Sequence, residues 1–300
     1  MPLSTFSRRA TLGLMLSTVA MPVLAQDRPV VAVANYPLAY FAERIAGGAA
    51  DVLFPIPTDV DPSFWRPGIA DIAAIQAADV IALNGAGFAT WPTKASLPRS
   101  RTVNTSAGFS DRLIQTDTVT HSHGDGGQHS HTDTASYTWL DFALASEQVG
   151  TLADAMMRQM PDHEDAIAAN RDALLGDLAT LNGRATTVGE AAANTAIITS
   201  HPRYQYFGAA YGLDISAVDW DANEDPSAAQ WAALEEMIGA TGATVFVWEA
   251  EPAAASRERM AALGLTDVVF PPLANRPAEG DFLTQMQTSL QQLEAVLRGQ

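Results

Sequence analysis

Four histidines and one aspartate lie within eleven residues in the middle of the chain: His121, His123, Asp125, His129 and His131. Imidazole nitrogen is a good ligand for zinc, copper or nickel, and the glycines between these residues allow the segment to fold around an ion. Ordering such a segment lowers its affinity through lost conformational entropy. Because residues 115–136 contain almost no apolar side chain, we expect a mobile loop that holds or delivers metal. A solvated polar insert without a metal role is the alternative.

His201 stands apart from these histidines. It follows the apolar run Ala196-Ile197-Ile198 and precedes Pro202. Ligand sites of α/β proteins lie at the carboxyl ends of parallel strands. We therefore expect His201 to face a cleft and interpret it as a metal ligand.

Short β-branched runs alternate with longer amphipathic stretches from Arg28 onward, which is typical of parallel, doubly wound sheets. Two such regions flank a long helical segment. We therefore expect an α/β fold with two doubly wound lobes, a long rigid helix that joins them, and a ligand cleft between the lobes. The strands are predicted near residues 30–33, 52–54, 80–83, 196–198, 215–218, 244–248 and 267–270, and the helices near residues 37–46, 69–78, 140–160, 161–187, 204–211, 227–241, 253–264 and 281–297.

The first 25 residues have the features of an export signal. Arg8 and Arg9 precede an apolar stretch at 12–20, and Val23-Leu24-Ala25 matches a cleavage site. We predict a twin-arginine signal removed after Ala25, which places the protein in the periplasm; an ordinary Sec signal is the alternative. The domains predicted after it are an N-terminal lobe with the His-rich loop, a connecting helix and a C-terminal lobe, at residues 26–160, 161–190 and 191–300.

Composition excludes several classes of function. With 34 acidic and 17 basic residues the formal charge is −17, which argues against nucleic acid or an anionic membrane as partner. The absence of cysteine excludes disulfides, thiolate zinc sites and a cysteine nucleophile. The sequence lacks a dinucleotide fingerprint, a P-loop, a nucleophile elbow and an H-E-x-x-H helix. We therefore predict that the protein is not an enzyme.

Short motifs in a fixed order carry a family resemblance that covers nearly all of the mature sequence. The motifs include Asp61-Pro62-Ser63-Phe64-Trp65, Asn84-Gly85-Ala86-Gly87-Phe88, Trp139-Leu140-Asp141, Thr199-Ser200-His201-Pro202 and Ala250-Glu251-Pro252. With these motifs the chain resembles the zinc- and manganese-binding (ZnuA/TroA-type) solute-binding proteins of ABC importers. The resemblance implies a monomer that binds a divalent metal ion between two lobes, zinc first and manganese or iron as alternatives. It also implies delivery to an ABC permease in the inner membrane, with a periplasmic metallochaperone as a further candidate partner.

The sequence departs from the ligand set that the resemblance implies. Ser63 and Tyr137 stand where similar proteins have histidines, and Pro271 stands in place of a carboxylate. His201 is retained, and Glu251 retains a glutamate before a proline, with Glu249 close by. A tetrahedral zinc site needs three or four good ligands.

Three interpretations remain open. In the first, the cleft binds metal through His201, Tyr137 and either Glu251 or Glu249, with the loop histidines folding over the ion and Asp59 or Asp61 as a further oxygen ligand. This harder set would shift the preference toward iron or manganese. In the second, the cleft has lost its metal site and the His-rich loop handles zinc as a chaperone module. In the third, Trp65, Arg66 and Tyr137 bind a small anion or a metal chelate.

Overall fold

The computed structural model describes residues 28–116, 134–221 and 224–299, and the backbone of residues 120–121 and 129–130. The predicted export signal, His123 and His131 lie outside the described residues, as do the side chains of His121 and His129. In the described part of the chain, no helix has the length and apolar character needed to cross a membrane.

The N-terminal lobe is a parallel sheet with the strand order β2-β1-β3-β4. Its first helix is capped by Asn35, whose side chain accepts from the backbone N–H of Leu38, and it ends at Gly47 with φ of 55°. The helix Trp91–Lys94 and the strand Thr102–Asn104 are not predicted from the sequence, because they are too short for a hydrophobic pattern to repeat. The elements are β1 (Val30–Val33), α1 (Tyr36–Ala46), β2 (Asp51–Leu53), α2 (Ile69–Ala77), β3 (Val80–Leu83), α3 (Trp91–Lys94) and β4 (Thr102–Asn104).

The two lobes share one topology. The second sheet is also parallel, and its order β8-β7-β9-β10 again places the first strand of the lobe between the second and the third. The fold class predicted from the sequence is confirmed. The elements are β7 (Ala196–Thr199), α6 (Gln205–Tyr211), β8 (Asp214–Ala217), α7 (Ala228–Thr241), β9 (Val245–Trp248), α8 (Ala254–Ala262) and β10 (Thr266–Val269).

Helices between and after the sheets form the middle of the molecule: α4 (Phe142–Gln159), α5 (Glu164–Ala191) and α9 (Phe282–Arg298). Helix α4 begins after Asp141, whose side chain accepts from two backbone N–H groups of the first turn. Helix α5 has 28 residues, so it is about 42 Å long. It packs on α1, α4 and α9. Its buried residues lie on one side at helical spacing: Ile167, Leu174, Leu178, Leu181, Ala185 and Val188.

One hydrophobic core extends through both lobes. It includes strand residues of both sheets and the buried residues of α5 and α9. Phe282 of α9 packs against Tyr40 and Phe41 of α1 with ring centroids 5.7 and 5.4 Å apart. The indole Nε1 of Trp139 donates to the carbonyl of Pro272 at 2.7 Å. The lobes are therefore joined by packed side chains as well as by the long helix.

Backbone hydrogen bonds close the base of the His-rich loop. The backbone N–H of Ala135 donates to the carbonyl of Ile114 at 2.8 Å, and Gln115 and Thr134 form an antiparallel bridge. The hydroxyl of Tyr206 in α6 accepts from the N–H of Ile114 and donates to the carbonyl of Ala135. Farther out, β5 (Thr120–His121) and β6 (His129–Ser130) pair antiparallel with His121 opposite His129.

Candidate functional site

Three side chains from both lobes meet around the guanidinium of Arg203. Its Nη2 lies 2.8 Å from Oδ2 of Asp61, its Nε lies 3.0 Å from Oε2 of Glu249, and its Nη1 donates to the hydroxyl of Tyr137. Asp61 and Tyr137 belong to the N-terminal lobe, whereas Arg203 and Glu249 belong to the C-terminal lobe. We call these four residues the cleft cluster. The side chain of Arg203 is 13% exposed and that of Glu249 is 7% exposed.

Asp61 is held in place by its own loop, between β2 and α2. Its Oδ1 accepts from the backbone N and the hydroxyl of Ser63 at 2.8 and 2.7 Å, so that Oδ2 meets Arg203. The loop is also tied to the far end of the chain, because the side-chain amide of Asn275 donates to the carbonyls of Pro57 and Val60. Burial opposes ionisation of Asp61, but Arg203 and the hydrogen bonds from Ser63 outweigh it and hold its pKa below the usual value.

Tyr137 is positioned by a buried hydrogen-bond network. The side chain of Asn84 accepts from Asn35 at 3.1 Å and from Gln148 at 3.2 Å, and it donates to the carbonyl of Ser136 at 3.0 Å. These contacts join the ends of the sheet strands and α4 to the segment that carries Tyr137. Since polar groups buried in this way are satisfied by one another, they fix the backbone at that point.

The Tyr137 phenol is neutral in this environment. Its ring packs against Phe88 and Trp139, and the guanidinium of Arg203 lies 5.0 Å from the ring centroid. Burial raises the pKa of Tyr137 well above the usual value, although Arg203 opposes the shift. A phenolate ligand for metal would have to be created against that burial.

Glu249 is the second carboxylate that pairs with Arg203. Glu249 follows β9, and its backbone N–H donates to the hydroxyl of Ser200 at 3.0 Å. Burial raises the pKa of the Glu249 carboxyl, with Arg203 acting in the opposite direction. Burial also disfavours the charge on Arg203, but Tyr137, Glu249 and Asp61 more than compensate and raise its pKa above the usual value. The guanidinium of Arg203 is therefore the permanently charged cation of the cluster.

His201 lies at the carboxyl end of β7, as the sequence predicts, but its imidazole contacts residues of its own lobe. The ring Nδ1 lies 3.2 Å from the carbonyl oxygen of Trp220 and 3.5 Å from Oδ1 of Asp219. The side chain is 13% exposed. Thr199 at the end of β7 donates to the carbonyl of His201 at 3.0 Å, which fixes the backbone there.

Glu251 lies at the surface rather than in the cleft cluster. Its side chain is 74% exposed, and its Oε1 accepts from the guanidinium of Arg257 at 2.8 and 3.2 Å. Asp59 is exposed as well. Trp65 is a core residue of the N-terminal lobe, with its ring 5.9 Å from that of Trp91. Among the described residues, no three His, Cys, Asp or Glu side chains lie close enough together to hold a metal ion.

An acidic pocket of about 300 Å³ lies on the solvent side of Glu249. The indoles of Trp220 and Trp248 form part of its wall. Its carboxylates come from Asp221, Glu224, Asp225, Glu249 and Glu251. Clustered negative charge raises the local concentration of cations at this pocket.

Arg203 is not among the site residues predicted from the sequence. The predicted ligands include Asp61, Tyr137 and Glu249, and the structure brings these three together, but around an arginine. The sequence contains one signal for this arginine. Three positions that hold ligands in similar proteins carry Ser63, Tyr137 and Pro271 here, and a basic residue stands two positions after the retained His201. A changed set of anionic and phenolic groups beside an arginine favours an internal ion pair as readily as a metal site.

Comparison with solved structures confirms the fold. The crystal structure of the metal-dependent lipoprotein YcdH from Bacillus subtilis superimposes with a TM-score of 0.76 at 24% sequence identity, covering 90% of this chain and 100% of that one. Such a match at this level of identity establishes the fold alone.

Sequence relatives are zinc- and manganese-binding proteins. The high-affinity zinc uptake system protein ZnuA of Bacillus subtilis is 26% identical over 213 residues, which are 70% of this chain and 67% of the relative. The manganese-binding lipoprotein MntA of Halalkalibacterium halodurans is 28% identical over 185 residues, which are 60% of this chain and 57% of the relative. The matched regions therefore span two thirds or less of these relatives. The family model for ZnuA, the periplasmic component A of a zinc-uptake complex, matches residues 31–296. With nearly the whole described chain matched, this protein belongs to the ZnuA family.

Proposed function

We propose that the protein captures a divalent metal ion outside the inner membrane and delivers it to the permease of an ABC importer. Zinc is the first expected cargo, with manganese or iron as alternatives. The observation that carries this proposal is the family match over residues 31–296, on a two-lobed fold whose strand ends meet at the cleft. The protein acts as a receptor without catalytic chemistry.

Two places are proposed for the metal. The first is the His-rich loop with His121, His123, His129 and His131, supported by its ligand types and by the pairing of β5 with β6. The second is the cleft, through His201, Glu251 and Tyr137. In the described structure His201 contacts Trp220 and Asp219, Glu251 pairs with Arg257, and Tyr137 accepts from Arg203. The cleft would therefore bind metal only after those contacts change. This arrangement favours the loop as the first metal-binding site.

Zinc titration of the mature protein tests the proposal. The variants are His201→Ala and a loop variant in which His121, His123, His129 and His131 are all replaced by Ser. The matched control is His163→Ala, because His163 is exposed and lies on a short turn away from the cleft.

Loss of the equimolar site in the loop variant but not in His201→Ala would place the metal on the loop. The reverse pattern would place it in the cleft. A wild-type protein that binds neither zinc, manganese nor iron would contradict the proposed function.

We further propose that the protein is exported by a twin-arginine signal cleaved after Ala25, acts as a monomer, and receives metal from a periplasmic metallochaperone. The paired Arg8 and Arg9 and the small residues at Val23 and Ala25 support the export proposal. The mass of the protein recovered from the periplasm tests the cleavage position. Unprocessed protein after Arg8→Lys and Arg9→Lys would support the twin-arginine route.

A further inference from the structure

We propose that Arg203 is the resident cation of the cleft cluster and determines which ions the cleft accepts. Its guanidinium contacts one carboxylate from each lobe, Asp61 at 2.8 Å and Glu249 at 3.0 Å, and the hydroxyl of Tyr137. The inference rests on the proposed function only in taking a divalent cation as the competing ion.

Arg203 supplies positive charge to the two carboxylates of the cleft cluster. Without Arg203, two carboxylates would face each other in a largely buried space and repel each other strongly at such short range. A guanidinium stays protonated at every physiological pH and donates in a planar fork that suits two acceptors at once. One of the two negative charges is therefore compensated before any ion arrives.

Entry of a bare divalent cation would require Arg203 to withdraw. The guanidinium would lose two ion pairs and a hydrogen bond, and breaking a buried pair by removing one partner is strongly destabilising. If it stayed in place, the ion would meet a like charge at close range. The wild-type cleft is therefore expected to reject bare divalent cations, which leaves their capture to the loop histidines.

Removing this charge should create a metal site. Arg203→Met keeps a long side chain that fills the space but carries no charge. Four oxygen-bearing side chains then remain at the same place: Asp61, Ser63, Tyr137 and Glu249. Carboxylate and hydroxyl oxygens suit hard cations such as Mn²⁺.

The experiment is a calorimetric titration with MnCl₂ and ZnCl₂. It is carried out in the loop variant, so that the binding heat comes from the cleft and not from the loop histidines. The proteins compared carry Arg203, Arg203→Met, Arg203→Lys or Arg259→Met. Arg259 is the matched control, because Arg259→Met removes the same charge from the same lobe at a site that pairs with Glu235 and stacks on Trp231. We expect Arg203→Met to bind Mn²⁺ at least about tenfold more tightly than its parent, with no gain for Arg203→Lys or Arg259→Met.

A parent that binds Mn²⁺ as tightly as Arg203→Met would overturn the inference. If Arg203→Met does not fold in metal-free buffer, the double variant Arg203→Met/Glu249→Gln removes the facing charges. It should fold and still bind Mn²⁺ more tightly than the parent, and no gain there would also overturn the inference. Failure of the proposed function would appear elsewhere, as absence of metal binding by the wild-type protein with its loop histidines intact.

Discussion

At the scale of single residues, Asp61 is a carboxylate whose two oxygens have different tasks. Oδ1 accepts from Ser63 within its own loop, and Oδ2 pairs with Arg203 of the other lobe. One side chain thus couples local loop geometry to the contact between lobes. Its ionised form is what both sets of contacts require.

Asp61→Asn should lower the free energy of unfolding at neutral pH by roughly 2–4 kcal/mol, since it leaves the buried Arg203 with one fewer charged partner. The pKa of Asp61 is lower in the folded state than in the unfolded chain, where it is about 3.9. Its stabilising contribution is therefore complete above that unfolded value and is lost as the pH falls through the folded value. Urea unfolding at pH values from 7 down to about 2 should show a constant difference between wild type and variant above the unfolded pKa and a shrinking difference below it.

Asp59→Asn is the control for this series, because Asp59 lies in the same loop but is exposed. It should change the free energy of unfolding by about 0.5 kcal/mol or less at pH 7. A difference between wild type and Asp61→Asn that stayed constant over the acid range would contradict the assignment of the Arg203 contact to the ionised carboxylate.

At the scale of elements, two glycines of α5 have opposite surroundings. A Cβ on Gly189 would lie 2.0 Å from the backbone carbonyl oxygen of Tyr211, whereas a Cβ on Gly176 would meet open space. Gly189 thus permits the close approach of α5 to the end of α6. Gly176 has no such role and only lowers the helical preference of its segment.

Gly189→Ala should therefore destabilise the protein by about 1–3 kcal/mol, because the backbone of α6 must move. Gly176→Ala should stabilise it by about 0.5–1 kcal/mol. Chemical denaturation followed by circular dichroism measures both. Equal effects of the two substitutions would show that the α5–α6 contact is looser than the structure indicates.

The sequence predicts most elements because their patterns are local. Buried parallel strands such as Val30–Val33 are continuous apolar runs, and caps such as Asp141 set helix starts. The four-residue α3 and the three-residue β4 are not predicted in this way, since neither is long enough for a hydrophobic pattern to repeat. Helix α5 begins at Glu164 rather than Pro161, because residues 161–163 form a 3-10 turn before it.

The candidate site is less predictable than the fold. The position of His201 after β7 follows from the strand rule for α/β proteins. The partners of Arg203 do not, because Asp61, Tyr137 and Glu249 are distant in sequence and come together only through packing of the two lobes. Types of residues indicate which chemistry is available, whereas their pairing depends on tertiary geometry.

At the scale of the whole molecule, the shared core argues for cooperative folding. Each lobe carries three tryptophans: Trp65, Trp91 and Trp139 in the first, and Trp220, Trp231 and Trp248 in the second. Because α5 and α9 bury side chains among residues of both sheets, one core joins the lobes, beside the smaller hydrophobic cluster that each lobe has of its own.

Thermal and urea unfolding of the mature protein should therefore give one transition, with tryptophan fluorescence and helical circular dichroism coincident. The calorimetric and van't Hoff enthalpies should agree. Two separated transitions, one seen mainly by fluorescence, would mean that the lobes unfold independently and that the contacts through α9 and Trp139 contribute little.

The pairing of Arg203 across the lobes also differs from metal binding in its effective concentration. An ion held between two lobes dissociates when the solution around it is diluted or a chelator is added. A guanidinium that is covalently part of the chain has a fixed effective concentration next to its partners, which neither dilution nor chelation changes. The Arg203 contact between the lobes should therefore persist without added metal as well as with it.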